Sequence, residues 1–179
     1  DEEYYSYYKL ASLHSQGYTG EGAIIAMIDG HVNPNIPELA GATIENKSPC
    51  TVNSLPDNAD HGTAVAQILV APKFGVAPGA TLYTYDLGYS QEEVGSDCAT
   101  AGVYAQGEAD TSLLIEQAIN DGAHIISISS NYPHYSEDLR WAMARAISEG
   151  VIVVAAMGNE STEDPDDTLP MWSGICGVG

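Results

Sequence analysis

The stretch Ala23-Ile-Ile-Ala-Met-Ile-Asp29 decides the fold class of this chain. It is an unbroken apolar run that ends in a carboxylate, which is typical of a strand buried on both faces of a parallel sheet. Three further runs have the same character, at Ala80 to Asp86, Ala123 to Ser129 and Val151 to Ala156. Because helical patterns separate these runs, we predict a three-layer α/β fold with a mainly parallel sheet and helices on both faces.

The first helical pattern is predicted to begin near His61. Its spacing places three apolar side chains on one face, namely Val65, Ile68 and Leu69. An amphipathic face of this kind packs on a sheet, so the helix is expected to carry His61 to one end of the strands.

Two more helices have recognisable ends. One runs from about Asp110 or Ser112 to Asp121 and stops at a glycine. The other begins after Ser136, a typical N-cap, and ends at Gly150. Its inward side is predicted from helical spacing to comprise Leu139, Met143, Ala146 and Ile147.

The charge balance excludes several classes of partner. Five Lys and Arg stand against 25 Asp and Glu, which gives a formal net charge of −20. Such a chain repels nucleic-acid phosphates and anionic lipid surfaces. It also lacks an apolar run of about 20 residues, the length that spans a bilayer, and shows no signal-peptide pattern. We therefore expect neither a nucleic acid nor a membrane as partner.

The three cysteines, Cys50, Cys98 and Cys176, include no close-spaced pair. Zinc coordination and Cys-x-x-Cys redox chemistry are therefore not expected. One disulfide at most can form within the chain. Cys50 and Cys98 are the better pair because both lie in polar, loop-like stretches, and the alternative is three free thiols.

The carboxyl ends of the predicted strands gather the polar residues of interest. In open parallel sheets ligands bind beyond these ends, a rule that selects Asp29, Asp86, Ser129-Ser130-Asn131 and Gly158-Asn159. His61 is expected to reach the same rim from the start of its helix. A carboxylate, an imidazole and an amide side chain on one rim are suited to nucleophilic hydrolysis.

Three motifs carry a resemblance to a known family. Ala26-Met-Ile-Asp29, His61-Gly-Thr63 and Val153-Val-Ala-Ala-Met-Gly-Asn159 resemble the successive motifs of the subtilisin-like serine proteases, the subtilases. The resemblance runs from about Gly17 to the last residue. It implies that residues 1–179 are the amino-terminal portion of a single subtilisin-like peptidase domain, incomplete at the carboxyl terminus. The tyrosine-rich composition of residues 1–16 predicts a segment that drapes over the domain, with its rings buried and its hydroxyls in water.

The resemblance implies a role for each motif residue. Asp29 would be the acid that orients His61, and His61 would be the general base that takes the proton of a serine nucleophile. Asn159 would donate to the oxyanion. The expected substrate is a polypeptide: an extended chain would pair with the backbone at Ser129, Ser130 and Asn131, and its specificity pocket would be bordered by Ala156, Met157 and Gly158.

The nucleophile motif is the main departure from the family. No Gly-Thr-Ser occurs in the sequence, and in subtilases this motif lies beyond the point where this chain ends. The expected activity is serine endopeptidase chemistry through an acyl-enzyme, with the serine supplied by the remainder of the same domain. The chain as given is expected to be inactive.

A second departure follows the acid. Asp29 is followed by Gly30 and His31, where subtilases usually have Asp-Thr-Gly or Asp-Ser-Gly. Similar sequences occur in subtilases that process or macrocyclise ribosomal peptide precursors, which is one alternative function. A non-catalytic peptide-binding relative is another. A nucleotide-binding α/β domain is disfavoured, because no glycine-rich loop follows a strand.

No cofactor is expected. The connection from His61 to Gly75 is too short for the loop that wraps calcium in many subtilases, although the acidic residues between Glu163 and Asp167 offer oxygen ligands for weak calcium binding. His14, His31, His124 and His134 show no metal-ligand spacing and are expected to be solvated or packed. The family resemblance implies a secreted or cell-surface protein.

Overall fold

The computed structural model describes residues 3–88, 92–98, 104–105, 108–109, 111–130 and 136–156. The helices are α1 Glu3–Tyr7, α2 Leu10–Ser15, α3 Pro56–Val70, α4 Thr111–Asn120 and α5 Glu137–Ser148, with a 3-10 turn at Pro37–Leu39. The strands are β1 Ile24–Asp29, β2 Thr43–Asn46, β3 Thr81–Asp86, β4 Tyr104–Ala105, β5 Glu108–Ala109, β6 Ile125–Ile128 and β7 Ile152–Ala155.

A five-stranded sheet with the order β2-β3-β1-β6-β7 organises the molecule, and all of its strand pairs are parallel. This confirms the predicted α/β architecture. The central strand β1 runs beside β3 with Ile24 opposite Thr81 and Asp29 opposite Asp86. The four predicted apolar runs all became strands, and β2 was missed because its residues, Thr43 to Asn46, are mostly exposed at an edge and lack an apolar run.

Helices cover both faces of the sheet, as predicted. On one face Ala26 and Ile28 of β1 join an apolar cluster to which α4 and α5 contribute Leu114 and Leu139. On the other face the alternate residues of β1 pack against α3. Because β1 is covered on both sides, its side chains are almost fully buried, which explains why its sequence shows no polar alternation.

Helix α3 differs from the prediction in its start and in one residue of its inner face. It begins at Pro56, since proline suits the first helical turn, so that His61 lies in the second turn. Two of the predicted inward residues, Val65 and Leu69, pack against the core, but Ile68 is 46% exposed. The buried face also includes Gly62 and Ala66, which the apolar spacing did not indicate because small residues contribute little to such a pattern.

Helices α4 and α5 have the predicted capping features. Gly122 follows α4 with φ +86°, and Gly150 follows α5 with φ +75°. At the start of α5 the Ser136 hydroxyl accepts a hydrogen bond of 3.1 Å from the Leu139 N–H. The prediction of an inward Ile147 was wrong, because this side chain is 68% exposed.

The N-terminal segment forms two short helices, α1 and α2, that contact the turn after α3. The Tyr4 hydroxyl donates to the Phe74 carbonyl at 3.0 Å, and Leu10 is buried. Tyr7 and Tyr8 are largely exposed, so the expectation that this segment buries its tyrosine rings was wrong for these two.

A disulfide joins Cys50 to Cys98 and thus fastens residues 92–98 to the chain that follows β2. This is the pair that the sequence favoured. Within the described residues no helix is long and apolar enough to cross a membrane.

Candidate functional site

The centre of the candidate site is a direct contact between Asp29 and His61. Nδ1 of His61 lies 2.7 Å from Oδ1 of Asp29. Asp29 is the last residue of β1 and is 1% exposed, whereas the His61 side chain is 52% exposed. The carboxylate therefore binds the buried side of the His61 imidazole. Nε2, on the opposite side of the ring, faces away from Asp29 and is the nitrogen available to a second group.

The environment of Asp29 makes its carboxylate a strong hydrogen-bond acceptor. Burial raises the pKa of Asp29, and the hydrogen bonds from His61 and from the Gly30 N–H oppose that rise. Both donors reach the same oxygen, because the Gly30 N–H lies 2.6 Å from Oδ1. The second oxygen, Oδ2, is buried and has no hydrogen-bond partner among the described residues. A carboxylate kept from water in this way holds the imidazole beside it through a charge-assisted hydrogen bond.

Close backbone packing explains the unusual Gly30. A Cβ at Gly30 would lie 2.0 Å from the Asn58 carbonyl oxygen, so neither serine nor threonine fits without movement. Likewise, a Cβ at Gly62 would lie 2.1 Å from the Gly30 carbonyl oxygen. The second turn of α3 thus packs closely against the backbone that follows β1. This packing determines the distance between His61 and Asp29.

Thr63 completes the attachment of α3. Its hydroxyl oxygen accepts a hydrogen bond of 3.0 Å from the Asn33 N–H. The three residues of the His61-Gly-Thr63 motif therefore have distinct parts in the geometry. His61 meets the carboxylate, Gly62 permits close approach, and Thr63 ties the helix to the chain beyond β1.

The remaining predicted site residues divide into two groups. Ser129, Ser130 and Ala156 are half-buried and follow the ends of β6 and β7, on the same rim as Asp29. Hydrogen bonding continues to this point, since the Ala156 N–H donates to the Ile128 carbonyl at 2.9 Å. The other predicted residues lie outside the described part of the chain: Asn131, Met157, Gly158 and Asn159.

A second imidazole–carboxylate pair lies beside the first. Nδ1 of His31 is 2.8 Å from Oδ2 of Asp86, which is 2% exposed. The Asn46 side-chain amide donates to the same oxygen at 2.8 Å. Although Asp86 was selected as a strand-end residue, His31 was expected to be solvated or packed. No local feature of the sequence indicates this pairing, which arises because β1 and β3 are neighbours in the sheet.

The other described histidines make structural contacts. His124 Nδ1 accepts from the Ile24 N–H at 3.0 Å, and His14 Nε2 lies 3.1 Å from the Val76 carbonyl. Among the described residues, no three His, Cys, Asp or Glu side chains come together as metal ligands. The acidic residues between Glu163 and Asp167 lie outside the described part.

An imidazole held by a buried carboxylate at the rim of a parallel sheet is an arrangement that is able to activate a nucleophile. The Peptidase_S8 profile of the subtilase family matches residues 20–173. Subtilisin E of Bacillus subtilis (strain 168) is 31% identical over 169 residues, covering 90% of this chain and 40% of that protein. Subtilisin Savinase of Lederbergia lenta is 35% identical over 156 residues, covering 83% of this chain and 52% of that protein. The chain belongs to the subtilase family and spans about half or less of these relatives.

Solved structures agree with this assignment. The structure of the prenylagaramide maturation protease PagA matches with a TM-score of 0.61 and 27% identity, covering 84% of this chain and 50% of that one. The PatG macrocyclase in complex with peptide matches with a TM-score of 0.62 and 19% identity, covering 86% and 56%. At that identity the PatG likeness shows a shared fold.

Proposed function

We propose that this chain contributes the acid, the base and one oxyanion donor of a serine endopeptidase. These are Asp29, His61 and Asn159, and the nucleophilic serine lies outside residues 1–179. The observation that carries the proposal is the 2.7 Å contact between a buried carboxylate and a half-exposed imidazole. Membership of the subtilase family supports it.

The contact defines how the chemistry would proceed. Because Asp29 occupies Nδ1, the neutral ring carries its proton there and presents a lone pair at Nε2. His61 takes the serine proton through Nε2 as the serine oxygen bonds to the scissile carbonyl carbon. The imidazolium then gives this proton to the leaving amine as the C–N bond breaks and the acyl-enzyme forms. Water, deprotonated by the same nitrogen, releases the acid product and restores the serine.

The substrate in this proposal is an extended polypeptide at the rim of the sheet. Backbone groups at Ser129, Ser130 and Asn131 would pair with it, as an added strand pairs with a sheet edge. Its specificity pocket would be bordered by Ala156, Met157 and Gly158. The half-buried positions of Ser129, Ser130 and Ala156 beside the Asp29 strand support this arrangement.

A fluorophosphonate probe tests the proposal directly. We expect covalent labelling of a form of the protein extended beyond Gly179, and loss of labelling in its His61→Ala variant. The 179-residue chain is expected to remain unlabelled. An extended form that carries a serine after the family's Gly-Thr and still fails to react would overturn the proposal.

Processing or macrocyclisation of a peptide precursor is the second candidate. Gly30 favours it, since the packing of Asn58 excludes the usual serine or threonine. PagA, a maturation protease, shares the fold at 27% identity. In macrocyclisation the substrate's own amine attacks the acyl-enzyme instead of water. Mass spectrometry separates the outcomes, because a cyclic product is one water lighter than the linear acid.

A non-catalytic peptide binder is the third candidate, motivated by the same Asp-Gly-His sequence. It shares the fold and the cleft and differs at the nucleophile. The residue after the family's Gly-Thr decides between the two. Serine supports the protease, and alanine or glycine supports the binder.

We further propose that residues 1–179 form one portion of a single peptidase domain, with residues 1–16 draped over it, and that the remainder of that domain is its partner. Ile152 and Val154 of β7 are 61% and 55% exposed. They lie on the sheet face opposite the one packed by α4 and α5, where the described residues leave β7 uncovered. Without a cover this face should drive self-association, so light scattering of the 179-residue chain is expected to show oligomers. A monodisperse monomer would contradict this.

Secretion or display at the cell surface is proposed on the basis of the Cys50–Cys98 disulfide, since such bonds persist in oxidising compartments. No calcium is proposed in the connection between α3 and β3. Residues 71–80 contain no Asp, Glu or Asn, so the chain there lacks the side-chain oxygens that bind calcium. An unchanged melting temperature after treatment with a chelator would support this, and a fall would contradict it.

A further inference from the structure

Helix α3, which carries His61, has no N-cap of its own. Leu55 occupies the cap position and no side-chain hydrogen bond closes the helix there. Glu93, a residue distant in sequence, binds this end of the helix instead, because its Oε1 accepts from the Leu55 N–H at 2.9 Å and from the Asn58 side-chain amide at 2.8 Å. An acidic group at this end of a helix also interacts favourably with the helix dipole.

Glu93 is itself held in place. It is fully buried, and its carbonyl accepts from the Asn53 N–H at 2.7 Å. The segment that carries it is joined to the chain after β2 by the Cys50–Cys98 disulfide and by an antiparallel bridge between Val52 and Val94. The Glu93 carboxyl group is therefore held in one position, and its hydrogen bonds hold the start of α3 beside it.

Asn58 connects Glu93 to the candidate site, because it contacts both Glu93 and the backbone beside Asp29. Its side chain is bound by Glu93, while its carbonyl oxygen lies where a Cβ at Gly30 would come within 2.0 Å. His61 follows Asn58 by three residues, or about one turn of helix. Gly30, the neighbour of Asp29, packs against the first turn of α3. A shift of this turn would therefore change the distance between the His61 imidazole and Asp29.

We propose that Glu93 is a positioning residue that holds His61 in hydrogen-bonding distance of Asp29 by anchoring the first turn of α3. It acts through Asn58 and touches neither substrate nor the reacting atoms. The inference deepens the proposed function by adding a residue that sets the geometry of the base. Its test reads the His61–Asp29 contact itself, so the test does not depend on whether the extended protein cleaves peptides.

The readout is the proton on Nδ1 of His61, observed by NMR in the 179-residue chain. Asn58→Ala removes one hydrogen bond to Glu93 and retains a good helix former, so the helix itself is preserved. We expect this variant to exchange the Nδ1 proton with water roughly three- to tenfold faster, as the loss of one hydrogen bond would give. Glu93→Ala should exchange faster still.

Two further variants serve as controls. Glu93→Gln keeps an acceptor oxygen and the side-chain volume, so it should retain the slow exchange of the unchanged chain. Glu92→Gln alters the neighbouring exposed acid and should have no effect. The proposal is overturned if Asn58→Ala leaves the exchange unchanged, or if Glu93→Gln accelerates it as much as Glu93→Ala.

Discussion

Two histidine–aspartate pairs stand side by side on one rim of the sheet. Asp29 and Asp86 are register partners on neighbouring strands, and each binds Nδ1 of one histidine at 2.7 and 2.8 Å. The His61 and His31 side chains are 52% and 45% exposed, and both aspartates are buried. By distance and burial alone, the pairs are nearly equivalent.

The two histidine–aspartate pairs differ in their surroundings. Asp29 ends the central strand, directly beside β6 and the Ser129 region, whereas Asp86 lies one strand further away, about 4.8 Å across the sheet. His61 sits on an anchored helix, while His31 follows β1 in a loop. Asp86 also receives the Asn46 amide. A histidine–aspartate contact is therefore an insufficient sign of catalysis, and what distinguishes the two pairs is their distance from the proposed substrate edge.

The largest expected difference between the pairs is in turnover. In an extended, active form, Asp29→Asn should lower kcat roughly 10⁴-fold, because the imidazole is left in the wrong tautomer. Asp86→Asn should lower kcat by less than about tenfold, since the group does not touch the base. Steady-state kinetics of the two variants is the measurement. Similar losses in both would show that the second pair participates in the reaction.

Gly30 joins the two pairs, so its substitution should disturb both. Gly30→Ser restores the residue usual in the family but brings a Cβ within 2.0 Å of the Asn58 carbonyl oxygen. We expect the free energy of unfolding to fall by about 1–3 kcal/mol through overpacking. Urea denaturation measures it, and Gly30→Ala, which adds the same Cβ without a hydroxyl, should destabilise the chain to a similar extent. A Gly30→Ser variant as stable as the unchanged chain would refute the steric explanation.

Replacing the two histidines one at a time compares how much each imidazole–aspartate contact contributes to the free energy of unfolding. His31→Ala should lower the free energy of unfolding by roughly 0.5–1.5 kcal/mol, the net value of one hydrogen bond, because Asp86 retains the Asn46 amide. His61→Ala should cost more, because Asp29 keeps the Gly30 N–H alone among the described donors. Denaturant unfolding of both variants checks the order. The reverse order would show that Asp29 finds another donor.

The pH dependence of stability should reveal the burial of Asp29. Burial raises its pKa in the folded chain above the ordinary value of 3.8. Above that pH the unfolded chain has released this proton while the folded chain still binds it, so Asp29 lowers stability as pH rises through its folded pKa. Asp29→Asn should therefore gain stability relative to the unchanged chain over this window.

Chemical denaturation across a pH series measures this difference. Asp57→Asn, which removes an exposed carboxylate from α3, controls for the loss of one charge. Parallel stability curves for Asp29→Asn and the unchanged chain would mean that burial does not perturb Asp29.

Much of the fold was predictable because its signals are local. The apolar runs of β1, β3, β6 and β7 are long enough to exclude polar alternation, and the glycines after α4 and α5 mark helix ends. Strand β2 and the buried small residues of α3, Gly62 and Ala66, were not predictable in this way. An exposed edge strand has no distinctive pattern, and small residues that allow close packing carry almost no periodic signal.

The candidate site was predictable in part for a similar reason. Asp29 and His61 stand in motifs whose spacing resembles a known family. Glu93 lies in a stretch without periodicity, and no local feature indicates that it binds the start of a helix that begins at Pro56. His31 likewise carries no local sign that it will meet Asp86.

The amino-acid sequence by itself determined the parallel sheet, its strand-end carboxylate and the family. It also favoured the cysteine pair that the structure joins. Only the tertiary structure decided which groups meet: His61 with Asp29, His31 with Asp86, and Glu93 with the start of α3. The physical reason is that burial and periodicity act between near neighbours along the chain. Hydrogen bonds between side chains distant in sequence exist only after strands and helices have packed together.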